Sequence, residues 1–181
     1  MITKGQIVEI PASSVIYATD EVVFDNKRDE LTRKVAKRNY GLFDGFLVGE
    51  HQGVDQFKLG QRKGINVGGK QEPLYVIGIN EETNQLFVGA GEKHPGLWSE
   101  VLSFSKTKLN PGELDLDSER AEQGFEVSIH SSVTDIDMLA TLYLFDGILY
   151  LEFEAPVSVA IQDHHLEIYF DDHSIATITI N

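Results

Sequence analysis

The 181-residue chain contains no cysteine, so disulfides, thiolate metal centres and a cysteine nucleophile are excluded within it. No apolar run approaches the ~20 residues of a membrane-spanning helix. The opening residues, MITKGQIVEIPASS, hold one lysine and no apolar block of signal-peptide length. The expectation is a cytoplasmic chain with no membrane partner. The most telling scarcity is of positive charge at the far end. Residues 121–181 hold no Lys or Arg against 11 acidic residues, residues 71–120 hold 4 against 9, and residues 1–70 hold 11 against 9. The net charge of −14 is therefore built mainly at the back. Nucleic-acid affinity is mostly phosphate neutralisation, so the last third should repel a polynucleotide and any contact must come from the front.

What is present reads as mainly β, in two small antiparallel barrel-like domains with one helix near the N-terminus. Gln6 to Ile10 and Val15 to Phe24 read as strands, broken by Pro11 and Ser13-Ser14. Residues 26–40 are the one convincing helix: Leu31, Val35 and Ala36 make a narrow apolar stripe, Asn26 or Asp25 suits the N-cap, and Gly41 stands at the C-cap. Its cations, among them Arg33, Lys34, Lys37 and Arg38, fit either a solvated face or a surface turned toward a polyanion. Phe43-Asp44-Gly45-Phe46 carries a hairpin signature, and Val54–Leu59, Leu74–Ile79 and Gln85–Ala90 read as further strands. Trp98, the single tryptophan, is expected to pack rather than to serve as a stacking platform. Residues 105–123 are polar and include Asn110-Pro111-Gly112. They set the expected division into a domain 1–112, a linker 113–120 and an acidic barrel 121–181. In that barrel, alternation at Phe125, Val127 and Ile129, the Asp146-Gly147 and Asp171-Asp172 turns, and strands at Leu166–Phe170 and Ile175–Ile180 suit a small closed or nearly closed sheet.

The stretch that organises the chain is Gly60-Gln61-Arg62-Lys63-Gly64, followed by Gly68-Gly69, with apolar runs on either side. Bracketing glycines suit a tight loop that presents its tip. A tip of Arg62 and Lys63, with Gln61 beside them, can hold a phosphate; the same five residues also fit a turn whose charges are merely solvated. Other clusters carry less. His164-His165, His173, Asp163, Asp171 and Asp172 supply metal-ligand types, but neighbouring strand residues point to opposite faces, so no metal site is expected. Ser131, His130 and Asp135 lack any nucleophile elbow, and Gly-Gln-Arg-Lys-Gly lacks the spacing of a nucleotide P-loop. No catalytic residue and no cofactor are expected.

Gly49-Glu50-His51-Gln52-Gly53, then Gly60–Gly64, then Gly68-Gly69, then Glu72-Pro73-Leu74-Tyr75-Val76, then Gly91-Glu92-Lys93-His94-Pro95, resemble the tRNA 2-thiouridylase family in order and spacing. A weaker resemblance runs through Phe153-Glu154-Ala155-Pro156. In that family an ATP-pyrophosphatase domain activates a tRNA uridine for sulfur transfer, and a small β domain and a β-barrel behind it help to hold the tRNA. The resemblance covers only those two rear domains. The family's Ser-Gly-Gly-x-Asp-Ser loop and its two catalytic cysteines are missing, which implies a chain that is not catalytic on its own and would be a sulfurtransferase only as part of a larger enzyme. His130-Ser131-Ser132 stands where the family has an Arg-Tyr-Arg cluster, Ile161-Gln162-Asp163-His164 replaces its Thr-Pro-Gly-Gln turn, and Ala176-Thr177-Ile178 replaces a late glycine run. The resemblance implies a tRNA-holding module contacting tRNA through residues 27–70, with a separate ATP-pyrophosphatase subunit as partner for the acidic barrel. Two alternatives stand beside it: a diverged protein-interaction module that does not bind RNA, and a fragment of a complete ATP-dependent thiouridylase, against which the starting Met1 and coherent first strand argue.

Overall fold

The computed structural model describes residues 4–18, 22–112 and 119–180. Contacts gather the chain into two compact units: Met1–Val23, Ala36–Trp98 and Ser158–Ala160 in the first, and Phe24–Val35, Ser99–Val157 and Ile161–Asn181 in the second. This division differs from the one drawn at residues 113–120. Residues 113–118 lie outside those described, and the strands just before them hydrogen-bond to later strands. Sheet pairing, rather than polar composition, decides which body those strands belong to.

The first unit is built on β1 (Gly5–Glu9), β2 (Phe46–His51), β3 (Leu74–Asn80) and β4 (Gln85–Ala90), in the order β2-β1-β4-β3. Pairing is antiparallel for β1 with β2 and β3 with β4, but parallel for β1 with β4, so this sheet is mixed rather than purely antiparallel. Both of its faces are covered. Ile7, Val76, Leu86 and Val88 pack into one cluster, and their neighbours Val8, Ile77 and Phe87 pack into another. That explains why these strands read as continuous apolar runs instead of alternating ones. Each such buried side chain contributes roughly 1.5–3 kcal/mol of transfer free energy.

Three expected elements of this unit take other forms. Val15–Tyr17 is a single 3-10 turn, because the Ser14 hydroxyl accepts a hydrogen bond from the Ile16 amide and starts a turn that an apolar triplet alone does not reveal. Val54–Gln56 is likewise a 3-10 turn. The chain then runs beside β3, with the Gly60 amide donating to the Val76 carbonyl at 2.8 Å and the Val76 amide to the Gln61 carbonyl at 2.9 Å. Asp44-Gly45 makes no hairpin. Leu42–Asp44 is a 3-10 turn, Gly45 is extended, and a Cβ there would meet the Glu9 carbonyl.

The second unit is a curled, half-barrel sheet of β5 (Trp98–Ser105), β6 (Leu109–Pro111), β7 (Phe125–Ser131), β8 (Met138–Phe145), β9 (Ile148–Ser158), β10 (Leu166–Phe170) and β11 (His173–Ile178). Their order is β5-β9-β8-β7-β10-β11-β6. Leu102, Leu142, Leu149 and Leu151 face one core, while their neighbours Val101, Tyr143 and Tyr150 face the other way and receive Leu31. Leu31 belongs to α1 (Lys27–Ala36), shorter at its end than the expected 26–40. Asn26 caps α1, its side-chain oxygen 2.9 Å from the Asp29 amide. Gly41 is not its C-cap but precedes the turn at Leu42–Asp44. A second, short helix, α2 (Glu119–Gln123), spans the boundary expected between the linker 113–120 and the barrel 121–181. Both hairpin turns have the positive φ of tight two-residue loops, at Asp146 and Gly147 and at Asp171 and Asp172.

Candidate functional site

The loop between Gly60 and Leu74 is held at its base and exposed at its tip. At the base, the Gln61 side chain is used up locally: its oxygen accepts from the Lys58 amide at 3.0 Å, and its nitrogen donates to the Lys63 carbonyl at 2.8 Å. Gln61 is therefore a brace of the loop. Gly60 (φ 79°) is doubly constrained, since a Cβ there would also lie 3.0 Å from the Ala160 Cβ. Gly64, Asn66 and Gly69 also take positive φ, whereas Gly68 does not and has open space where a Cβ would be. Between residues 62 and 74 these turns enclose an open groove of about 400 Å³, lined by Arg62, Gly64, Asn66, Gly69, Gln71 and Glu72 among others. Arg62 and Lys63 are exposed, and neither side chain makes a hydrogen bond or ion pair among the described residues. Lys63 lies beside the groove rather than in its lining.

The helix cations are placed differently. Lys34 lies 2.6 Å from a Glu30 carboxylate oxygen and 3.2 Å from Glu152, and Lys27 lies 3.1 Å and 2.8 Å from the same two carboxylates. Burial opposes the charge on Lys34, but those carboxylates outweigh it and its pKa is raised. Lys37 donates to the Ala18 carbonyl at 2.9 Å. The Arg38 guanidinium donates to the carbonyls of Gly96 at 3.0 Å, Pro95 at 3.4 Å and Trp98. Arg33 is exposed on α1. Arg33 and Lys34 belong to the second unit, while Lys37, Arg38 and the loop belong to the first. The structure thus brings Gln61, Arg62 and Lys63 together with the glycines, and gives Lys34, Lys37 and Arg38 structural partners.

Two histidines that the sequence marked only as members of motifs bridge backbone groups within the first unit. His51 and His94 are buried. Each accepts at Nδ1, at 3.0 Å, from the amide two residues on (Gly53 and Gly96), while Nε2 faces a distant backbone carbonyl: Asn84 at 3.2 Å for His51, Ile10 at 2.9 Å for His94. Because Nδ1 accepts, His94 is neutral with its proton on Nε2, and burial lowers its pKa. Its ring leaves no room for a side chain at position 89, where a Cβ would fall 2.5 Å from it. The shared His-x-Gly spacing was the available signal. Trp98, expected to pack, is 44% exposed, its indole N–H reaching the Glu92 carbonyl at 3.4 Å. In the second unit, His130 pairs with Asp137 at 2.9 Å, Ser131 is buried, and His173 contacts the Asp171 carbonyl at 2.7 Å.

Residues 31–90 match the tRNA methyl transferase PRC-barrel domain family. Over 155 residues, covering 84% of this chain, the sequence is 36% identical to the tRNA-specific 2-thiouridylase MnmA of Christiangramia forsetii. It is 30% identical over 178 residues to that of Flavobacterium johnsoniae, and 51% identical over 63 residues to that of Halalkalibacterium halodurans. The chain is a relative of the tRNA 2-thiouridylases. It matches a part of them: the first two alignments span 38% and 45% of those proteins' lengths. The segment matched to the PRC-barrel domain family holds the glycine-hinged loop, its two cations with unpaired side chains and His51, with His94 just beyond it.

Proposed function

We propose that this chain is a non-catalytic module of tRNA thiolation that holds tRNA through the loop at Gly60–Gly69 beside a separate catalytic subunit. The observation that carries this reading is the contrast among cations. Arg62 and Lys63 stand exposed and unpaired on a braced loop, within the segment matched to proteins named for action on tRNA, whereas Lys34, Lys37 and Arg38 are tied to carboxylates and carbonyls. Unpaired cations lose little by exchanging water for phosphate, so they supply sequence-blind backbone contacts. The test is fluorescence anisotropy of labelled tRNA with the purified chain from about 50 to 200 mM salt. Affinity is expected to fall steeply with salt, and Arg62→Ala with Lys63→Ala to flatten the log–log slope by about 1.5, two phosphate contacts' worth. An unchanged slope would remove the loop from the interface.

A second reading rests on the acidity of residues 121–181, which hold 11 Asp or Glu and no Lys or Arg. In it the chain no longer binds RNA, and that surface meets a basic protein partner. The absence of tRNA binding at the lowest salt, with a protein captured from native lysate that high salt releases, favours this second reading.

A further inference from the structure

Phosphate contact uses only the two cations at the loop tip, and leaves the groove behind Arg62 without a role. That groove, about 400 Å³, lies in the size range of small-ligand sites and has room for one nucleobase. Its lining is not that of a phosphate cradle. Asn66, Gln71 and Glu72 bring two amides and a carboxylate, all exposed and none engaged in a hydrogen bond or ion pair among the described residues. The remaining cation of the lining, Lys70, is paired with Glu9. Behind them Ile65 and Leu74 are buried and Val67 is half-buried, giving apolar walls. Asn66 sits at φ 55° between glycines that also take positive φ, so the turn is shaped around the groove at some conformational cost.

From this arrangement we infer that the groove takes one unstacked nucleotide of single-stranded RNA and discriminates by base. Arg62 holds the adjacent phosphate, and Glu72, flanked by the amides of Asn66 and Gln71, reads the base edge. Unstacked bases are the usual means by which proteins read RNA sequence. A carboxylate accepts a hydrogen bond from the exocyclic amino group of cytosine or adenine, whereas uracil has a carbonyl oxygen in place of cytosine's amino group, so the groove favours amino-bearing bases. The inference rests on the RNA-holding reading and deepens it from a sequence-blind contact to a selective one.

The cleanest comparison is between two pyrimidines that differ at position 4. Fluorescein-labelled 12-nucleotide oligomers of cytidine and of uridine are titrated with the full chain at fixed salt. The cytidine oligomer is expected to bind about tenfold tighter. Glu72→Gln, and separately Asn66→Ala with Gln71→Ala, should bring the ratio toward one, chiefly by weakening the cytidine oligomer. Arg62→Ala with Lys63→Ala should weaken both oligomers in parallel. Equal affinity for the two oligomers, or a ratio that survives Glu72→Gln, overturns base reading while the tRNA-holding module stands. tRNA binding without binding of either oligomer overturns it too, and absence of all RNA binding removes both readings.

Discussion

Replacing His94 by Asn tests whether the Gly-x-x-His-Pro segment is a structural clamp. The asparagine oxygen can still accept from the Gly96 amide, as an N-cap side chain does, but it cannot reach the Ile10 carbonyl that His94 meets at 2.9 Å. Leaving that buried acceptor without its donor costs about 1–3 kcal/mol. Losing the edge-on contact with Tyr17, whose ring centroid lies 5.5 Å away, adds about 1 kcal/mol. The expected loss is therefore about 2–4 kcal/mol at pH 7.5, large beside a typical domain stability of roughly 5–15 kcal/mol. The pH dependence gives a second reading of the same group. Burial lowers the native pKa of His94, so below the unfolded value of about 6.5 the unfolded chain takes up a proton that the native one refuses. The wild type should lose stability as pH falls through about 6.5 toward the native pKa, with a slope from this group of at most about 1.4 kcal/mol per pH unit. The difference between wild type and His94→Asn should shrink accordingly. Urea unfolding followed by Trp98 fluorescence at pH 7.5, 6 and 5 measures both quantities, because the single tryptophan belongs to the same unit. A loss below about 0.5 kcal/mol, or parallel pH profiles for the two proteins, would refute the clamp.

Three further expectations concern stability. Glu152→Gln removes the carboxylate shared by Lys27 and Lys34; these side chains are partly exposed, so screening limits the loss to about 1 kcal/mol at low salt, and chemical unfolding at about 0.5 M salt should show a smaller one. Gly60→Ala combines a positive φ with the approach to Ala160 and should cost about 1–2 kcal/mol, whereas Gly68→Ala, with open space and no positive φ, should change melting by little. Asp172→Gly, at φ 61°, relieves a left-handed residue in a two-residue turn and should stabilise by about 1 kcal/mol, read as a higher thermal midpoint of the second unit.

Much of the β architecture was legible because local rules and tertiary demand agree there. The hairpin turns at Asp146-Gly147 and Asp171-Asp172 and the alternation of Phe125, Val127 and Ile129 needed only turn chemistry and period. Where several conformations suit a short apolar stretch, the local signal ran out. Val15–Tyr17 and Val54–Gln56 look like strands but are 3-10 turns, and the parallel pairing of β1 with β4 joins residues some eighty positions apart.

By itself, the sequence determined the chemistry on offer: no thiol, no cation in the last third, two cations between glycines, and an ordered set of motifs resembling one family. Only the tertiary structure decided how those groups are used. It neutralised Lys34 with Glu30 and Glu152, turned Arg38 onto three carbonyls, folded the Gln61 side chain into the loop, and left Arg62 and Lys63 unpaired. Charge is a property of a residue, but availability depends on which partners folding brings within hydrogen-bonding reach, over 118 residues of chain in the case of Lys34 and Glu152.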